Sequence, residues 1–432
     1  MSLPTPPPIP LSNLPEPGAN PAATGRRWLI VGLLSASIGI NLVDRQVLSV
    51  VAPVLRDQLS LSNTQYSYII FAFQLGMILG QVPAGFLMDV VGPRIGFALI
   101  FVGWSVVNAL HGISRGLNSL LALRFFLGIA ECGNYSGGIK VVAQIFAPKD
   151  RGRAGGYFNG GAQLGAVIAP PLVVLITVKF GWRAAFFLPS LLGLVWLIPW
   201  LRFFPHHFSG KQTLASVPPA EAPRPRNTIN LKKLFRQRQV AGLMIFRALT
   251  GPLTSFYWYW LPEYLRHGRS MAFVTIGLLA WIPFLAGCIG NIAGGYFSDG
   301  LIRRGATSDF ARKLGFILGA ILATLSLALP FIRSSPVAVF VICLVVFGNQ
   351  WMTANYISSV GDIFPSAVVA SVSGLGGLAD SGMVMLTMLL TGLVVDHFSY
   401  YPVLLAAGIF PLLAVLSIYT VVRRIAPVEI EA

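Results

Sequence analysis

Long apolar stretches recur along the whole chain from Trp28 to Val422, many of them 20 residues or more. A run of that length matches the hydrocarbon thickness of a bilayer, and in lipid every backbone N–H and C=O must find its partner within the segment. Helices satisfy that demand, and open sheets do not. With 55% hydrophobic and only 11% charged residues, and a mean hydropathy of +0.72, no soluble core of 432 residues needs so much apolar surface. The expected class is therefore an all-α integral membrane protein.

Spans are predicted at 28–53, 66–88, 94–112, 119–146, 154–178 and 184–204, and again at 239–265, 273–298, 312–332, 336–360, 367–395 and 400–422. Around them, residues 1–25 read as a disordered tail, 206–238 as a Pro-rich, charged linker, and 426–432 as a short second tail. The six-span bundles would be 26–205 and 239–425. A formal charge of +16 on its own fits nucleic acid as a partner, but its distribution argues otherwise. With both termini inside, twenty Lys and Arg fall on the inner side and seven (Arg56, Arg115, Lys179, Arg183, Arg266, Arg269, Arg333) on the outer. That is the positive-inside pattern. Cys132, Cys288 and Cys343 sit in apolar runs without metal spacing and read as small hydrophobes; no metal or cofactor is expected.

An internal repeat supports two bundles. GFLMDVVGPR at 85–94 and GYFSDGLIRRG at 295–305 follow the second span of each set, and Pro148, Gly160 and Gly165 recur as Pro365, Gly377 and Gly382 at a constant spacing of 217. Two related bundles with a site between them is the plan of a secondary transporter. A membrane-embedded enzyme would want clustered His, Cys or acids at one depth, whereas His111, His206, His207, His267 and His397 lie at span ends or in loops.

The stretch LLALRFFLGIAECGNYSGGIKVVAQIFAPKDRGR at 120–153 carries the chemistry. Arg124, Glu131 and Gly138 recur every seven residues and, at about 100° per residue, lie along one side of the helix with Gly128, Asn134 and Tyr135 nearby. Charges at membrane depth cost at least a few kcal/mol and usually mark a pathway; the alternative is an ion pair that only locks helices. A carboxyl surrounded by hydrocarbon favours its neutral form and a nearby arginine favours the charged one, so Glu131 is a candidate for proton coupling. Asp44 and Arg45 sit at similar depth on the first span and, being adjacent, cannot both face one way. Asp380, which the 217 spacing maps onto Gln163, is a further candidate proton site, with a packing role as the alternative. Asn134, Tyr135, Gln163, Gln350 and Asn355 can offer hydrogen bonds to a ligand, as can Asn159, while Tyr257 and Trp258 offer flat faces. Lys140 lies opposite Glu131 and reads as a bundle-internal pair or a snorkelling cation. Asp89 with Arg94, and Asp299 with Arg303 and Arg304, read as gating latches at the inner helix ends, with Arg247 as another gate candidate.

These motifs resemble the major facilitator superfamily over essentially 26–425. The Gly-x-x-x-Asp-x-x-Gly-x-Arg loop at 85–94 is its most specific mark. NLVDRQVLSVVAPVLRD, LRFFLGIAECGNYSGGIK and WRAAFF are similar to the first, fourth and sixth helices of its anion:cation symporter branch, and YWYWLPEYL, GNIAGGYFSDGLIRRG and NQWMTANYISSVGDIFP resemble bacterial hexuronate carriers. The resemblance implies a twelve-helix fold of two pseudo-symmetric six-helix bundles, Asp44 paired with Arg124, and Arg45 on the substrate carboxylate. It further implies proton-driven uptake of a sugar acid such as a hexuronate or aldonate, across an inner membrane, by a monomer. The sequence departs from that pattern at Leu42, Met77, Gly251, Asn349 and Asp380, all expected on cavity walls. Another organic anion, aromatic or a simple carboxylate, or export rather than uptake, is the alternative these changes favour.

Overall fold

A computed structural model describes residues 21–146, 148–204, 234 and 237–428; most of the expected N-terminal tail, nearly all of the linker and the last four residues lie outside them. Fourteen α-helices occur among the described residues: α1 Pro21–Leu59, α2 Asn63–Val90, α3 Gly92–Leu110, α4 Leu117–Glu131, α5 Gly133–Ile145, α6 Pro148–Phe180, α7 Ala184–Phe203, α8 Arg238–Glu263, α9 Phe273–Leu279, α10 Ile282–Arg303, α11 Ser308–Thr324, α12 Ser335–Ile363, α13 Ser366–His397 and α14 Tyr401–Ser417. No strand occurs among the described residues. Nine helical segments are long and apolar enough to cross a membrane, or ten with the bent pair 63–81 and 83–90. Of the others, the fourth expected span breaks at Cys132 into pieces of 15 and 13 residues, each short of a full crossing, and α8 carries Arg247 in its interior.

Helices run past the predicted spans at most ends, because capping and packing extend them beyond the hydrocarbon run. α1 begins at Pro21, inside the stretch expected as a tail. α2 starts on a capping box, with Ser62 Oγ accepting from Gln65 N at 3.1 Å and Gln65 Oε1 accepting from Ser62 N at 3.0 Å. The turn after α2 needs Gly92, whose φ of 76° is open to glycine at little cost.

The first seven helices pack chiefly on one another, led by α1 against α6 and α2 against α4, as do the last seven, led by α10 against α12 and α8 against α13. The apolar core explains how the groups meet. At one end a single core joins Val47, Val51, Tyr66 and Trp182 of the first group to Leu253, Trp260, Ile276 and Met388 of the second. Toward the other end it divides, with Phe97, Phe101 and Trp200 in one cluster and Phe246, Phe316 and Tyr356 in a separate one. Among the described residues the core is thus shared where the 59–63, 263–273 and 397–401 turns lie and divided where α2 ends and α6 begins.

Candidate functional site

In the first group a set of polar side chains lies buried among α1, α3, α4 and α5. Asp44 and Arg45 part company as adjacent residues on a helix must. Asp44 is fully buried and accepts from Asn108 Nδ2 of α3 at 2.9 Å. Arg45, with its side chain 24% exposed, donates from Nε to Glu131 Oε2 of α4 at 2.7 Å. The implied Asp44–Arg124 ion pair is not formed. Arg124 is buried and rests over the Phe73 ring at 5.7 Å, with Arg45 over the same ring at 5.5 Å. The reason is reach: α3 presents Asn108 to Asp44, while the break at Cys132 leaves Glu131 at the end of α4, within reach of Arg45.

These contacts leave buried polar atoms without partners in the protein: Asp44 Oδ2, Arg124 Nε and Nη2, Glu131 Oε1, Asn41 Nδ2 and Asn134 Nδ2. Such orphans are costly unless water or a ligand meets them, and here they converge from α1, α4 and α5. Asn134 is buried and accepts from Ser37 Oγ at 3.1 Å. Tyr135 is half exposed and stacks on Phe158, and Gln163 is half-buried on α6. Met77, beside Arg45 with its Sδ 3.5 Å from Nη2, covers the guanidinium with a soft apolar group.

The second group holds its own ion pair, between α8 and α13. Arg247 Nη2 meets Asp380 Oδ2 at 2.5 Å, each side chain 21% exposed, and the guanidinium lies 5.6 Å over the Tyr356 ring. Asp380 fits only because residue 251 is glycine: a β-carbon there would overlap Asp380 Oδ1. Asp380 is thus held against Arg247 across α8 and α13, with about a fifth of its side chain exposed. Gln350 is half-buried, and its backbone oxygen accepts from Asn291. Asn355, expected at the ligand, is fully buried; its Nδ2 donates to Trp351 O and Gly294 O, fastening α12 to itself and to α10, and its Oδ1 is without a partner.

The gating latches pair differently from expectation. Asp89 meets Lys140 of α5 instead of Arg94, which donates to Leu201 O. Asp299 pairs with Arg312 at 2.8 Å, and Arg312 also holds Asp362 at 2.9 Å, while Arg303 and Arg304 are exposed. Each acid is met by a cation from a neighbouring helix, Lys140 of α5 for Asp89 and Arg312 of α11 for Asp299.

At the closed end lies a clasp that sequence reasoning missed. Arg56 Nη1 pairs with Glu263 Oε2 at 2.9 Å between α1 and α8. His267 reaches both Glu263 at 2.7 Å and Asp57 at 3.3 Å. Asp396 accepts from Asn63 N, Asn63 Nδ2, Thr64 N and Thr64 Oγ1, capping α2 from α13. Ser49 and Tyr66 bond to the backbone of Trp258 and Tyr259. An acid ending an apolar run, as Glu263 does, was the available signal.

The Major Facilitator Superfamily pattern matches residues 34–379. Among curated proteins the chain is 29% identical over 416 residues to the hexuronate transporter of Escherichia coli (strain K12), covering 94% of this chain and 96% of that one. It is 28% identical to the probable galactarate/D-glucarate transporter GudP of Bacillus subtilis (strain 168), with 94% of each covered. Among solved structures it resembles a bacterial homologue of the lysosomal transporter Spinster in an inward-facing, unoccupied conformation, with a TM-score of 0.74 at 16% identity over 94% of this chain and 96% of that one. A D-xylose–proton symporter gives a TM-score of 0.73 at 15% identity, covering 91% and 98%. With its helices packed as two groups that part around buried charges, this multi-pass membrane chain is a transporter, not an enzyme, and belongs to the Major Facilitator Superfamily.

Proposed function

We propose that the protein is a proton-coupled carrier that takes up a sugar acid, such as a hexuronate or aldonate, by alternating access. The observation that carries this reading is the Arg45–Glu131 pair at the head of the parted space. Guanidinium grips a carboxylate through two parallel hydrogen bonds, yet Arg45 gives Glu131 only its Nε–H. A substrate carboxylate competes with Glu131 for the same cation, and the displaced acid then holds a proton more readily than a charge. Substrate and proton thereby enter together. The names of the relatives, which speak of hexuronate, galactarate and glucarate, support the sugar-acid class.

In this reading the bundles 26–205 and 239–425 rock about the site as bodies, joined by a cytoplasmic linker. The excess of basic residues in alternate loops supports termini on the cytoplasmic side of an inner membrane; in that orientation the closed end is the outer one and this conformation is inward-open. Both walls of the site come from one chain, so a monomer suffices, and no cofactor beyond the proton is needed.

The test is uptake into proteoliposomes driven by an imposed pH gradient. Sugar acids should accumulate and neutral hexoses should not. Arg45→Lys, which keeps the charge and loses the two-pronged geometry, should weaken carboxylate binding about tenfold or more without unfolding the protein. Met77 against Arg45 favours a second reading, an aromatic or simple carboxylate as cargo, and the same assay decides it: benzoate-like or short-chain acids would then be carried in place of sugar acids.

A further inference from the structure

Arg247 and Asp380 form a second guanidinium–carboxylate pair, and its placement relative to the first can be worked out from the α1–α8 contact. The two helices run side by side in the same direction, since Arg56 meets Glu263 and Ser49 meets Trp258 and Tyr259. Arg45 lies four residues before Ser49, one turn plus about 40°, and so points to the side of α1 that faces α8. Arg247 lies eleven residues before Trp258, three turns plus about 20°, and so points to the side of α8 that faces α1. Toward these arginines the common core divides in two, so the facing sides line the space between the groups. Their stagger along the axes is seven residues, about 10 Å.

Both pairs are also incomplete in the same way. Glu131 Oε1 and Asp380 Oδ1 are buried without partners, and each acid is held through its other oxygen alone. Each arginine retains exposure, 24% and 21% of its side chain, as a ligand-facing cation requires. The Tyr356 ring beneath Arg247 fixes its plane.

Resting on the sugar-acid reading above, we infer that Arg247, Asp380 and Tyr356 form a second anion subsite, and that the ligand filling both subsites is a dicarboxylate: a six-carbon aldarate bridging Arg45 and Arg247. An extended six-carbon chain sets its carboxyl carbons roughly 6 Å apart, and a hydrogen-bonded guanidinium adds about 4 Å at each end. That length spans the stagger. A hexuronate or hexonate engages one arginine and leaves Arg247 with Asp380. Gly251 is what admits the second acid, so the subsite depends on a small residue as much as on the charged ones.

The experiment is calorimetric titration of the purified full chain with galactarate, galacturonate and galactonate. Galactarate should bind at least about tenfold more tightly than either monoanion, the worth of one further charge-assisted contact. In the double variant Arg247→Gln/Asp380→Asn, which keeps a neutral hydrogen-bonding pair of similar size, the ratio should fall to about one. Asp380→Asn alone, which removes the competitor for Arg247, should widen the galactarate preference. Equal affinities in the parent, or a preference that survives in the double variant, would overturn the second subsite and leave the sugar-acid reading standing. Binding of none of the three acids would instead overturn the sugar-acid reading and this inference with it.

Discussion

Arg56 of α1 and Glu263 of α8 meet at 2.9 Å with side chains 11% and 0% exposed, and Arg56 also donates to Leu61 O and Asn63 Oδ1. One cation thereby ties the end of α1, the following turn and the second group of helices. Removing one member of a buried pair strands the other, at a cost of about 3 kcal/mol. Glu263→Gln should lower the Tm of the purified protein and speed labelling of a cysteine placed at Ser49, behind the clasp, by an impermeant thiol reagent. An unchanged labelling rate would mean the pair is not what holds that end shut.

His267 adds pH dependence to the same clasp. The hydrogen bond to Glu263 holds its pKa above the ordinary 6.5 against partial burial, with Glu263 and Asp57 attracting the proton and Arg56 opposing it. A pKa raised in the closed form means that the stabilisation is fully present below 6.5 and lost as pH rises through the raised value. The parent should therefore lose more Tm than His267→Asn between pH 6 and pH 8.5. Parallel curves would remove His267 from the clasp.

Glu131→Gln keeps the size of the side chain and a hydrogen bond to Arg45 while removing the proton site. Counterflow of sugar acid between equal pools should persist at about the parental rate, and accumulation driven by a pH gradient should vanish. Loss of both together would assign Glu131 to structure instead.

Gly251→Ala forces Asp380 off Arg247, since the added methyl occupies the carboxylate's place. Overpacking of this kind costs about 1–3 kcal/mol. The variant should melt lower than the parent, and Gly251→Ala/Asp380→Ala should recover most of the loss. If the second change makes matters worse, the crowding lies elsewhere.

Much of this was legible in the residues. The length of the apolar runs set the class, the repeated Gly–Asp motif pointed to two related halves, and the seven-residue spacing of Arg124 and Glu131 marked the helix on which the candidate site was sought. Pairing was less legible, because which acid reaches which arginine depends on where α1 crosses α3 and α4 and on the break at Cys132, neither of which a one-dimensional pattern records. Asn355 shows the same limit: no pattern in the residues says that its Nδ2 is turned to the carbonyls of Trp351 and Gly294. Asp380 stood out as an oddity, but its partner Arg247 is 133 residues away, and only the missing side chain at Gly251 explains how the two fit.

Glycine has a further mechanical consequence. α1 meets α6 at Gly39, Gly161 and Gly165, α2 meets α4 at Gly76 and Gly128, α10 meets α12 at Gly290 and Gly294, and α11 meets α12 at Gly319 and Gly348, in each case with main chain lying directly on main chain. Contacts of that kind have no rotamers to trade and no slack to take up, so these helix pairs behave as stiff beams. The clasp at Arg56, Glu263 and His267 is built from long side chains that can let go one bond at a time. Compliance is therefore assigned to the clasp side chains and not to the whole seam between the two groups, since Gly392 of α13 lies against the main chain of Asn63; a saturation screen for altered transport rates should find its mild, tunable variants at the clasp and its dead ones along the beams.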